Sequence, residues 1–263
     1  MDDSSSSGSE DSLTTKRTWR EYLKEEVTRD WTDLVLLVGC FATGLLDAAV
    51  FNVWSCFVSM QTGNTVYVGL GITSQPYSQP YRWVKSGTSV LSFILGSFLF
   101  SRLSSSLSPL RRSTLILTST LQALLILISA LLSQLDIVPR GAGDLVPDNL
   151  IVLLPLSLLA MAAGGQCVLS RVLGYNEVPT VVLTSAYCDL VMDEKVFSGV
   201  TGNSKRNRRA MSAMLLLGGA AIGGWMTKEQ KIEGALWIVG GVKVGMALLW
   251  VGWKAEGRGI RLA

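Results

Sequence analysis

The sequence predicts an all-α membrane protein, a bundle of about six transmembrane helices. Three observations carry this. First, 49% of the 263 residues are hydrophobic and 16% are charged, with a mean hydropathy of +0.39, whereas soluble domains carry about 25% charged residues. Second, the charges crowd into residues 1–33, the short loops and the tail after Trp253. Third, the stretches between them reach the roughly 20 apolar residues that cross about 30 Å of hydrocarbon.

Residues 1–16 are acidic and serine-rich. Such a segment buries too little apolar area to offset chain entropy and is expected to be a disordered tail. Residues 17–31 place Trp19, Leu23, Val27 and Trp31 four apart, one face of a helix lying at the membrane interface. The transmembrane domain follows over 32–255, and 256–263 form a short tail. Spans are expected near Leu34–Phe51, Trp83–Leu103, Leu115–Leu135, Leu150–Leu169, Ala210–Met226 and Ala235–Trp253. Two shorter apolar pieces, Val53–Ile72 and Val178–Met192, accompany the first and fourth spans.

Lysine and arginine set the orientation. Of 23, 17 fall on the side of both termini, five on the other side, and Lys243 lies within a span. The positive-inside rule then puts both termini in the cytosol. Counting both short pieces as crossings gives eight spans with nearly the same asymmetry, so charge alone does not fix the number. Six is preferred because Val178–Met192 has only 15 residues.

The chain divides into two halves, about 32–138 and 148–255. Each has a span, a short piece with a polar kernel, an Arg-flanked span rich in small residues, and a final span. Three spans per half would make the halves inverted repeats. The first kernel is Gln61-Thr62-Gly63-Asn64-Thr65 and the second is Thr184-Ser185. Gly63 weakens a helix, and the Thr and Asn side chains compete for backbone groups. Broken backbone at membrane depth is tolerated only where protein or a wet cavity surrounds it. The alternative is a helix start or kink needing no ligand.

Among candidate substrate-binding residues, Asp47 carries most weight. An intramembrane carboxylate costs about 2.5–3.5 kcal/mol on insertion scales, so it is expected to face the bundle interior. Lys243 is the second such charge and a candidate partner for it. Gln61, Thr62, Gly63, Asn64, Gln166, Thr184 and Ser185 complete the set. The spacings Gly44/Ala48, Gly219/Gly223, Ala220/Gly224 and Gly241/Gly245 support close helix packing and leave homo-oligomerisation open.

Several classes are disfavoured. There is no histidine, which removes His-based acid–base chemistry and His-ligated metals. Cys40, Cys56, Cys167 and Cys188 have no CxxC spacing. No catalytic residues, metal or cofactor are expected, and the chain is read as a non-enzyme. The basic run at 205–209 adjoins a span, so it suits anionic lipid rather than nucleic acid.

The runs GLLDAAVF, FVSMQTGNTVYVGLGI and MAAGGQCVLSRVLGYNEVPTVVLTSAYCDL resemble the YoaK-type membrane proteins, a domain-of-unknown-function family. The resemblance covers roughly residues 30–255. It implies a multipass membrane protein with a suspected transport role. Ser185 after Thr184 departs from the Thr-Gly pattern of that family. The expected function is a small-solute permease with the bilayer as partner. A non-transporting scaffold or receptor is the alternative, and a membrane enzyme is less favoured.

Overall fold

A computed structural model describes residues 18–257 apart from Pro76, Pro80 and Leu145. The serine-rich tail of 1–16 lies outside the described residues, as does the tail from 258 onward. The described residues form helices and turns, with two isolated β-bridges in place of any sheet. The helices are α1 (Trp19–Lys24), α2 (Thr32–Trp54), α3 (Gln61–Ile72), α4 (Arg82–Leu107), α5 (Arg112–Gln134), α6 (Leu153–Leu173), α7 (Thr184–Val191), α8 (Ser204–Met226) and α9 (Glu233–Gly252).

Five of them, α2, α4, α5, α6 and α9, are long and apolar enough to cross a membrane. The chain is thus an integral membrane protein of polytopic helical design. The sixth expected span is the apolar part of α8. Lys205, Arg206, Arg208 and Arg209 fill the first two turns of that helix, so its composition falls short over a full crossing length. It nevertheless runs the length of the bundle beside α2, from the Arg208–Asp33 ion pair at one end to the Asn52–Thr227 hydrogen bond at the other.

Three principal pairings organise the bundle: α2 with α8, α4 with α6, and α5 with α9. The first two are parallel and pack backbone against backbone. A Cβ on Gly44 or Gly219 would collide with the Leu216 or Phe41 carbonyl across the α2–α8 seam. A Cβ on Gly96 or Gly164 would meet the Met161 or Phe93 carbonyl across the α4–α6 seam. Helices in lipid gain little from burying apolar area, so close approach and dispersion supply the attraction. The α5–α9 pair is antiparallel, and its contacts run from Ser119–Trp250 through Gln122–Lys243 to Gln134–Trp237.

The expected helix over 17–31 is shorter. α1 ends at Lys24, where Glu25 turns extended. Val27, read as part of the helical stripe, is buried in extended chain that bridges to Ala255. The backbone explains the difference. Val27 N–H donates to the Leu110 carbonyl, and Glu25 and Glu26 carbonyls accept from Arg112 and Glu256. Partners across the bundle end replace a helical ladder. This knot holds both ends of the described chain at one end of the bundle, called here the terminal end.

Candidate functional site

Asp47 is buried, as expected, but its partners are backbone amides. Its Oδ1 accepts from Val58 N–H at 2.8 Å and Ser59 N–H at 3.0 Å, and its Oδ2 accepts from the Ser59 hydroxyl. Asp47 lies seven residues before the end of α2, about 10 Å along the helix axis. After Trp54 the chain therefore turns back into the bundle, to the level of Asp47, before α3 begins. The break sits at residues 55–60, where Ser55 has φ 55°, and not inside the polar kernel. Gln61–Thr65 form the first turns of a regular helix.

Asn64, the one kernel residue fully buried, closes that turn. Its Nδ2 donates to the Phe57 carbonyl at 2.7 Å and to Gln61 Oε1 at 2.9 Å, and its Oδ1 accepts from Phe57 N–H at 3.2 Å. Gln61 Nε2 donates to the Val58 carbonyl at 2.8 Å. These side chains stabilise a re-entrant turn. Thr62 is exposed and Gly63 is half-buried beside the Phe57 ring. Thr184 and Ser185 open α7 and are also exposed. α3 packs on α4, α7 packs on the start of α8, and each has a single buried residue. The two kernels therefore do not converge on the bundle centre. Exposed helix starts satisfy their orphan N–H groups without a partner kernel.

The residues that do converge are Lys243, Gln166 and Gln122. Lys243 is 4% exposed and is the eleventh of the 20 residues of α9, its midpoint. Its ammonium donates to Gln122 Oε1 at 2.8 Å and to Gln166 Oε1. The anticipated Asp47–Lys243 pair does not form, because Asp47 is already saturated by the re-entrant turn. Gln122 was missed in the sequence. It stands in an ordinary apolar span, and only its position opposite Lys243 marks it. Gln166 reaches Lys243 by lying over Gly39, where a Cβ would sit 2.5 Å from Gln166 Nε2. A cavity of about 20 Å³ touches this cluster, room for about one water. Ala42, Thr43 and Leu46 line it from α2, and Ala162, Ala163 and Gln166 from α6. Ser59 and Lys243 also line it, so the re-entrant turn and the buried cation share one space.

Each bundle end carries cations held in place. At the terminal end, Arg208 binds Asp33 at 2.7 Å and Glu177 at 3.0 Å. It also stands over the Tyr175 ring. Burial, and then the Asp33 charge, raise the pKa of the Tyr175 phenol, which donates to the Arg29 carbonyl. Arg209 reaches Asp193 at 3.2 Å. At the opposite end, Lys85 is buried and donates to the Gly143 carbonyl at 2.6 Å. Arg82 donates to the Ser55 carbonyl at 2.9 Å beneath the Tyr67 ring. These last two cations border a vestibule of about 260 Å³ that also includes Asp144.

The fold and this cluster define a polytopic helical membrane protein with a cation buried at the centre of its bundle. The chain belongs to the DUF1275 family of proteins of unknown function, the YoaK-like family, whose profile matches residues 35–249. No curated protein matches the chain. No solved structure does so either.

Proposed function

We propose that the chain is a small-solute permease whose two inverted halves alternate access to the Lys243 cluster. The supporting observation is a constant register between the halves. Gly44 abuts the Leu216 carbonyl, and Gly164 abuts the Phe93 carbonyl. Gly219 abuts the Phe41 carbonyl, and Gly96 abuts the Met161 carbonyl. Adding 120 to the α2 positions gives the α6 positions (Phe41 to Met161, Gly44 to Gly164). Adding 123 to α4 gives α8 (Phe93 to Leu216, Gly96 to Gly219). The same exchange turns the α2–α8 pairing into α6–α4 and returns α5–α9 to itself. α2 and α6 run in opposite directions, so the relation is an inversion.

This register has functional content. Gln122 and Lys243 are each the eleventh residue of their helix and bond to each other, so the pseudo-two-fold axis passes between them. The cavity linings Ala42, Thr43 and Leu46 correspond to Ala162, Ala163 and Gln166. Lys85 corresponds to Arg208, and these two cations hold opposite ends of the bundle. A site on the axis between inverted halves is the arrangement from which rocking exposes a solute to each side in turn. The small cavity is the closed intermediate of such a cycle, with both termini on the cytosolic side.

The test is transport in proteoliposomes, with a lock at the terminal end. Asp33 and Glu177 both contact Arg208, so a cysteine replacing each, in a background without native cysteines, is placed for cross-linking. Solute entry that stops on cross-linking and returns on reduction supports the reading. Unchanged entry in the cross-linked protein would overturn it.

A further inference from the structure

We infer that the central site binds the negative charge of its solute: a small monovalent anion, or the carboxylate of a small organic acid, held by the Lys243 ammonium and the Gln166 carboxamide, the two members of the cluster that line the cavity. The inference rests on the permease reading and adds the class of substrate.

The argument begins with charge. Among the described residues Lys243 has no carboxylate within ion-pair distance, and its two acceptors are neutral carboxamide oxygens. Asp47, the other buried charge bordering this region, is taken up by Val58 and Ser59. A buried cation without a counter-charge is costly, and an anion arriving at it recovers that cost.

The donors point the same way. An ammonium has three N–H groups, and Lys243 gives two of them to glutamine oxygens. Both glutamines thus turn their oxygens inward and leave their amides over. Gln122 Nε2 and Gln166 Nε2 are buried without an acceptor, in residues 1% and 2% exposed. The third ammonium N–H of Lys243 and the spare Gln166 amide, in the two cluster residues that line the cavity, with the carboxamide oxygens already used, are complementary to an acceptor-only, negatively charged ligand. A cation would be repelled, and a neutral polyol would leave the ammonium uncompensated. Size narrows the choice, since about 20 Å³, room for about one water, fits a one-centre anion in the closed form, and a small carboxylate enters only as the site opens. Thr43, also lining the cavity, brings a hydroxyl that can donate as well, whereas the Ser59 hydroxyl is already given to Asp47. The vestibule bordered by Arg82 and Lys85 places two further cations beside its single acid, Asp144.

The experiment uses the purified full-length protein. Thermal unfolding is followed with sodium chloride, nitrate, formate or acetate, each against sodium gluconate at equal ionic strength. At least one small anion should raise Tm saturably. Halide or nitrate responses identify an inorganic ion, and responses confined to formate and acetate identify a carboxylate. Lys243→Met should raise the half-saturating concentration about tenfold or more, the loss expected for one charge-assisted hydrogen bond. In gluconate its Tm should equal or exceed that of the native chain, because an uncompensated charge has been removed. A purely structural Lys243 would instead give a lower Tm. Should Lys243→Met not fold, Gln166→Leu, expected to weaken anion binding with the cation kept, decides instead. No anion-specific shift in the native protein, or an unchanged response in the variants, would also overturn it. Proteoliposomes separate the two levels. Lys243-dependent uptake of a neutral or cationic solute, with no anion bound, removes the anion inference and keeps the permease. Lys243-dependent anion binding without flux does the reverse.

Discussion

Removing the Asp47 carboxylate tests whether that residue is a structural bracket. Asp47→Ala deletes the acceptor of two buried backbone N–H groups, those of Val58 and Ser59, and of the Ser59 hydroxyl. Each buried donor left without a partner costs about 1–3 kcal/mol, so the two amides together cost about 2–6 kcal/mol. In a chain of this size each kcal/mol moves Tm by roughly 2–4 °C. A fall of at least roughly 4 °C is therefore expected. Asp47→Asn keeps Oδ1 as acceptor for both amides and can donate to the Ser59 oxygen. It forfeits only charge assistance, about 1 kcal/mol. Thermal unfolding of the detergent-solubilised protein, read by size-exclusion after heating, measures both variants. Asp47→Ala within a degree of the native chain, or Asn as harmful as Ala, would refute the bracket and return Asp47 to the list of solute-binding groups.

Other perturbations probe neighbouring features. Asn64→Leu should destabilise the protein by about 1–3 kcal/mol, because it strands the Phe57 amide in the re-entrant turn, while the Phe57 carbonyl keeps the Ser89 hydroxyl; heat-challenge assays in detergent check this. Gly44→Val and its counterpart Gly164→Val should each force a helix seam apart and lower folded yield comparably, read as the monodisperse fraction. Equal damage from the two is what the proposed internal repeat requires, and sharply unequal damage would count against it. Gly39→Ala should push Gln166 off Lys243 and impair uptake while leaving folded yield largely intact. A reporter fused to the C-terminus should be inaccessible from outside intact cells, and external labelling would reverse the assigned topology.

The membrane class was legible in the sequence because it follows from composition over windows of 20 residues. A charge-poor apolar run has one stable disposition in lipid, whatever its neighbours. The small-residue pattern was also legible, because Gly44, Gly96, Gly164 and Gly219 all serve the same local need for close backbone approach. Burial of Asp47 and Lys243 followed from the cost of charge in hydrocarbon.

Their partners did not follow, since partners depend on which helices meet. Asp47 and Lys243 looked complementary because they are charges of opposite sign set well inside apolar spans, whereas Lys85 and Arg102 stand near the ends of theirs. The fold instead turns residues 55–60 back onto Asp47 and sets Gln122 of α5 against Lys243 of α9. Likewise, Thr62-Gly63-Asn64 has the composition of a helix break, yet the break falls just before it, at residues 55–60. Helix propensity at Gly63 differs by only about 1 kcal/mol from alanine, and the buried network of Asn64 outweighs it. Local residue chemistry determined that these groups would be inside the bundle. Long-range packing alone decided which of them would share a cavity, because a side chain's neighbours across a bundle are set by the pairing and register of helices far apart in the chain.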